Sequence, residues 1–239
     1  RQRAILEDYI RRDIIFRHTL EPHEVRADAP EVAKRMARAA KIAGVGPMAA
    51  VAGAMAQLAV EAGLEAGAEE AIVDNGGDIY LKTTEPVVIA LFPGGSGRIG
   101  RLAFSLQASD TPLSICSSSG KMGHSLSLGL CDLATVVAKD AALADAAATR
   151  AANLVRTVED VEKALDTMLT VEGVSGLLIV KDGRKTHGVE VKTMITNTTG
   201  QITMHADSLA RKQAWLREHK ADGHTIIVDK RGRQTTYYY

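Results

Sequence analysis

The chain has 239 residues, 46% hydrophobic and 24% charged, with 29 basic residues balancing 29 acidic ones. That apolar content excludes a disordered low-complexity chain. Zero net charge with only nine aromatic residues leaves neither a field for nucleic acid or anionic membrane nor a base-stacking surface, so neither is expected as a partner.

Two cysteines, Cys116 and Cys131, are too few for a secreted disulfide framework, so free thiols in a reducing cytoplasm are expected. The longest uncharged run, Ile42 to Val60, lies between Lys41 and Glu61. It contains Pro47, three glycines, Gln57 and mostly alanine, which reads as a buried loop and helix rather than a membrane span. No signal-peptide pattern is visible after Arg1.

In chain order, the spacing of Ile5, Tyr9, Ile10 and Ile14 predicts a helix over Arg3 to His18. Pro30 opens a second helix that runs to about Gly44, and Met48 to about Ala66 reads as an alanine-dense third. Short strands are predicted at Ala71–Asp74, Ile79–Lys82, Val87–Phe92, Arg101–Gln107, Leu113–Cys116 and Leu133–Ala138. Helices follow over Ala141–Leu154 and Val158–Leu169. Strands at Leu177–Lys181 and Val189–Met194 flank a Lys181-Asp182-Gly183 turn. The tail carries a predicted helix, Asp207–Lys220, and a strand, Thr225–Val228. The pattern is α+β: helices on one side of a mainly antiparallel sheet.

Three segments hold more polar and turn-forming groups than structure requires. In Asp74-Asn75-Gly76-Gly77-Asp78, paired glycines let backbone amides approach a ligand, although Asn-Gly is equally a plain hairpin signal. In Cys116-Ser117-Ser118-Ser119-Gly120-Lys121-Met122-Gly123-His124, hydroxyls and amides at a strand end suit phosphate, and His124 suits acid–base work. The glycine–lysine spacing is not that of a P-loop. In the third segment, Asp140 to Thr149, Asp145 and Thr149 lie one turn apart on one helix face, a hard-oxygen pair suited to magnesium or a capping device. The other histidines show no metal-ligand spacing.

In order, Val45-Gly46-Pro47-Met48-Ala49-Ala50-Val51-Ala52-Gly53-Ala54, Asp74-Asn75-Gly76-Gly77-Asp78-Ile79-Tyr80, Cys116-Ser117-Ser118-Ser119-Gly120 with Gly123-His124-Ser125-Leu126-Ser127, and Ala144-Asp145-Ala146-Ala147-Ala148-Thr149 resemble the ApbE-like family. These are relatives of the FAD:protein FMN transferases once labelled thiamine-biosynthesis lipoproteins. The resemblance covers about residues 1–181. It implies a duplicated T-fold-like domain over residues 1–195, in two packed subdomains of antiparallel sheet backed by helices, followed by a C-terminal extension over residues 196–239. It also implies a nucleotide ligand, with FAD and Mg2+ as cofactors. Asn75, Gly76, Gly77 and Asp78 with Ser117, Ser118, Ser119 and Gly120 would bind the nucleotide, Asp145 and Thr149 the metal, and His124 would serve catalysis. The transferases carry a His-x-x-Asp-Pro-x-Thr-Gly signature after the serine loop. Here that segment is compressed to Gly123–Gly129, keeping His124 without Asp-Pro.

Three functions follow as rivals. The first is Mg2+-dependent flavin or phosphoryl-ester transfer, or cleavage of the FAD pyrophosphate. The second is a sulfur (persulfide) carrier or thiol function using Cys116, whose thiolate is expected to have a lowered pKa beside loop amides and Lys121 or His124. The third is a non-catalytic flavin- or nucleotide-binding module. A second copy of the chain is the candidate protein partner.

Overall fold

The computed structural model describes residues 1–91, 102–120 and 129–182, together with five later strands. The first predicted helix is two: α1 (Gln2–Arg12) and α2 (Ile14–His18). The break falls at Asp13, whose backbone leaves the helical region so that its carboxylate can accept the Phe16 amide at 3.2 Å. The same carboxylate accepts the Tyr9 hydroxyl at 2.9 Å and contacts His23 Nε2 at 3.0 Å. A capping aspartate inside an apolar period thus overrides the helical pattern. Helix α3 (Glu31–Ala43) ends at Gly44 in the left-handed conformation. A 3-10 turn (Pro47–Ala50) leads into α4 (Val51–Glu65).

Strands β1 (Ala71–Asp74), β2 (Asp78–Lys82), β5 (Leu113–Ser118), β6 (Leu133–Ala138), β7 (Val174–Lys181) and β8 (Arg184–Val189) form one sheet in the order β1-β2-β5-β6-β7-β8. Every pairing in it is antiparallel. Strands β3 (Val87–Leu91) and β4 (Leu102–Leu106) pair as a separate hairpin. Helices α5 (Ala141–Leu154) and α6 (Asp160–Leu169) connect β6 to β7.

Side-chain alternation along the strands splits the core. Cys116, Val136, Leu177 and Ile179 face the helices, whereas Leu81, Ile115, Val137 and Val180 pack with Phe104 and Leu106 of the β3–β4 hairpin. Helix α5 is buried on both sides. Ala144, Ala147, Ala148 and Ala151 pack towards the sheet, and Ala142, Leu143 and Ala146 join the cluster formed by α1 to α3. Short side chains let it lie between two layers. The 3-10 turn and α4 together, Pro47–Glu65, are long and apolar enough for a membrane span by composition alone. Here Gly53, Ala54, Ala56 and Val60 of that segment are buried within the fold.

Of the strand expected at Val189–Met194, residues 190–193 lie outside the described residues; β8 begins at Arg184, after a turn with Asp182 at φ 49°. Its polar sequence, Arg184-Lys185-Thr186-His187-Gly188-Val189, suits a sheet edge and carries no apolar run to mark it. Strand β7 begins three residues before the expected Leu177. Beyond it, β9 (Met194–Asn197) pairs with β10 (Gly200–Thr203), and β11 (Thr225–Val228) with β12 (Gln234–Tyr237). The helix expected at Asp207–Lys220 lies outside the described residues.

Candidate functional site

The site is assembled where three elements meet the N-terminus of α4. The first is the β1–β2 turn. Asn75 N–H donates to the Asp78 carbonyl at 3.0 Å, and Asp74 Oδ1 accepts the Gly77 amide at 2.8 Å. Gly76 and Gly77 take φ of 74° and 102°, values that side chains resist, so glycine is required by the turn itself. No other residue crowds the space where their side chains would be. Asn75 Nδ2 donates to the Ala52 carbonyl at 3.1 Å and ties the turn to α4.

The second element is the end of β5. Register places Cys116 directly opposite Asp78 and Val136. Ser117 N–H donates to Asp78 Oδ1 at 3.3 Å, and its hydroxyl bonds Thr135 Oγ1 at 2.9 Å on the other face. Ser118 is buried and its Oγ has no hydrogen-bond partner among the described residues. Ser119 is also buried. Gly120 passes against the backbone of Gly129 and donates to the Cys131 carbonyl at 2.9 Å. A side chain there would collide with main chain.

The third element is α5. Asp145 and Thr149 are both buried, one turn apart. Asp145 Oδ2 accepts the Gly53 amide at 2.9 Å, and the Ala52 amide also faces this carboxylate. These are amides of the first turn of α4, a helix whose own N-cap residue, Ala50, provides no side-chain acceptor. Asp145 therefore caps α4 from another helix, where unsatisfied amides and the helix dipole favour negative charge. Gly53 is what allows the approach: a side chain there would strike the Ala141 carbonyl and lie 2.9 Å from Asp145 Cβ.

Burial dominates the electrostatics. It pushes the Asp78 carboxyl up to about 7, opposed by hydrogen bonds from Cys116 and Ser117 and reinforced by Asp74. It pushes Asp145 well above the carboxylate range, reinforced by Asp78 and opposed by the Gly53 and Ala52 amides. Two carboxylates in one dry region each make the other harder to ionise.

Cys116 corrects an expectation. Burial, then the charges of Asp78 and Asp145, pushes its thiol well above the ordinary value, opposite to the lowered pKa expected from loop amides. Its Sγ donates to the Ala141 carbonyl at 3.6 Å beneath α5. Cys131 is a separate buried thiol, pushed up to about 11 and bonded to the Val180 carbonyl at 3.4 Å. Lys121 and His124 lie outside the described residues.

The structure thus brings Asp78, Cys116, Ser117 and Asp145 together and hangs Asn75 beside them. Gly76 and Gly77 form the outer lip. Sequence reasoning gave no role to the α4 amides or to Gln57. The latter's signal was a single amide side chain in an otherwise uncharged alanine-rich run.

An α+β protein with an antiparallel sheet, an alanine-rich buried helix and two carboxylates beside a helix N-terminus defines the class. The family model described as AbpE bacteria matches residues 1–186, and the chain belongs to that family. The chain is 45% identical over 180 residues to the UPF0280 protein of Methanococcoides burtonii, 75% of this chain and 76% of that one. It is 46% identical over 189 residues to the UPF0280 protein of Methanocella arvoryzae, 79% and 77% of the two chains. Among solved structures it is similar to the ApbE protein of Thermotoga maritima, with TM-score 0.46, 18% identity and 61% of this chain covered. That match spans 51% of the Thermotoga chain, about half its length. The flavin transferase ApbE from Vibrio cholerae aligns with TM-score 0.46 and 15% identity over 77% of this chain and 73% of that one.

Proposed function

We propose that this protein binds a flavin nucleotide, FAD in the first instance, together with Mg2+, and acts in flavin or phosphoryl-ester transfer or in cleavage of the FAD pyrophosphate. The flavin chemistry comes from the family resemblance. Its placement rests on one observation: Asp78, the Ser117–Gly120 strand end and Asp145 converge on the amides at the start of α4.

The residues fit both groups. Ser118 Oγ is a buried hydroxyl without a partner among the described residues, which a phosphate or ribose oxygen would satisfy. Asp145 and Thr149 are hard-oxygen donors, and Mg2+ needs few protein ligands beside water and phosphate. These two residues would hold the metal, which when bound supplies charge neutralisation at the pyrophosphate. Gly76 and Gly77 let the turn's amides come close to the ligand, while Ser118 and Ser119 face its polar groups. Asp78, titrating near neutrality, holds or accepts a proton at its carboxylate. His124 is the proposed acid for the leaving nucleotide.

The test is AMP release from FAD with and without Mg2+, beside flavin binding by fluorescence quenching. Mg2+-dependent turnover that collapses in Asp145→Asn is expected. Binding without turnover favours a non-catalytic module. Failure of both, with rapid alkylation of Cys116 at neutral pH, overturns the reading in favour of the thiol function that the buried, protonated Cys116 argues against.

A further inference from the structure

Two rungs join α4 to α5. Gly53 N–H donates to Asp145 Oδ2 at 2.9 Å, and Ala141 N–H donates to Gln57 Oε1 at 2.8 Å. Four residues forward along α4 correspond to four back along α5, about 6 Å on each antiparallel helix. Together the rungs fix the register between the helices.

The second rung is well determined. Gln57 Nε2 donates to Glu61 Oε1 at 2.9 Å, and Arg35 grips both Glu61 oxygens at 2.8 Å. With a donor on one side and a carboxylate on the other, the Gln57 amide has one satisfactory orientation. Ala141 is the first residue of α5, so its N–H has no partner within the helix. Gln57 supplies it.

We infer that Gln57 is a positioning residue: by holding Ala141 it sets the level of α5 against α4 and so keeps the Asp145 carboxylate on the Ala52 and Gly53 amides. The functional consequence, though not the geometry, rests on the reading of Asp145 as a site residue.

The Gly53 amide is a sensor that needs no ligand. It is also in the first turn of its helix, so Asp145 is its protection. Amide exchange is measured on the full chain with 15N-labelled glycine and isoleucine, comparing the parent with Gln57→Ala and Gln57→Glu. The Glu variant also carries Glu61→Gln throughout, so that an acceptor for Ala141 is retained and positions 57 and 61 still make one amide–carboxylate pair instead of two facing carboxylates. Loss of one hydrogen bond's worth of restraint predicts ~10-fold faster exchange at Gly53 in Gln57→Ala and near-parental exchange in Gln57→Glu. Ile115 in β5 reports any general loss of stability. Exchange at Gly53 that only follows Ile115, or a Glu variant indistinguishable from Ala, overturns the inference.

A second arm titrates Mg2+ in the presence of FAD. Gln57→Ala is expected to raise the Mg2+ midpoint ~10-fold while turnover at saturating Mg2+ stays near parental. An unchanged midpoint overturns the functional consequence. A parent that binds no FAD sinks the proposed function instead, and Gly53 exchange still decides the positioning role.

Discussion

Replacing Asp78 by asparagine should make the protein more stable at neutral pH while leaving its stability below about pH 4 nearly unchanged. The reasoning starts from burial, which raises the Asp78 carboxyl from an ordinary 3.8 to about 7. Between those values the folded protein holds a proton that the unfolded chain has released. A raised carboxyl therefore contributes stability that is complete below about pH 4 and lost as pH rises through about 7. Linkage over that gap gives a loss on the order of 2–3 kcal/mol between about pH 5 and pH 7.5 from this group alone. Asp145, raised for the same reason, adds to the slope. Asparagine has the shape of the protonated acid and cannot ionise, and it also relieves Asp145 of a neighbouring charge. Asp13, Glu24, Asp28 and Asp160 are lowered by their partners and contribute in the opposite sense. The quantity to read is thus the difference between parent and variant, from urea unfolding followed by circular dichroism in EDTA. Parallel stability–pH curves, or a variant less stable than its parent at pH 7.5, would refute the buried-pair reasoning.

Two further variants probe the packing around the same pair. Gly53→Ala should lose about 2 kcal/mol in urea unfolding despite alanine's higher helix propensity, because the new methyl meets main-chain carbonyl rather than a movable side chain. Parental stability would show that α4 and α5 are not held this closely. Ser118→Ala should gain about 1 kcal/mol by removing an unsatisfied buried hydroxyl, yet weaken FAD binding in fluorescence titration. A loss of stability would mean that the hydroxyl already has a partner.

Much of the framework was legible because it depends on local pattern. The alanine run of α5, the apolar stretch of β6 and the Gly-Gly turn carry their own signals. What escaped was set by tertiary contact. Asp13 looks like one polar residue on a helix face until its carboxylate is seen holding Phe16, Tyr9 and His23. Strand β8 is polar because it borders the sheet, so periodicity missed its start. At the site, Asp145 could be placed on a helix face from spacing, but not opposite the Gly53 amide, a residue 92 positions away. The thiol of Cys116 was misread for the same reason. Its loop context suggests activation, whereas the register that sets it beside Asp78 and under Ala141 keeps it protonated.

Asp145 has a sufficient structural role as the cap of α4, and that role has to be weighed against a functional one. A cap alone asks for little: a serine or threonine at the N-cap would satisfy the same amides from within the helix, and Ala50 stands there instead. The observed solution places a carboxylate from another helix in the protein interior, where burial and the charge of Asp78 hinder its ionisation. Near neutral pH this costs stability that a local cap would not. It also requires Gly53, with its lower helix propensity, and the Gln57–Ala141 rung to hold the register. Local rules broken at several neighbouring positions without a gain in stability favour the proposed site over a scaffold role. In the function proposed above, what such an arrangement would gain is readiness for positive charge: a bound cation would favour the ionised form of two buried carboxyls that burial otherwise holds protonated.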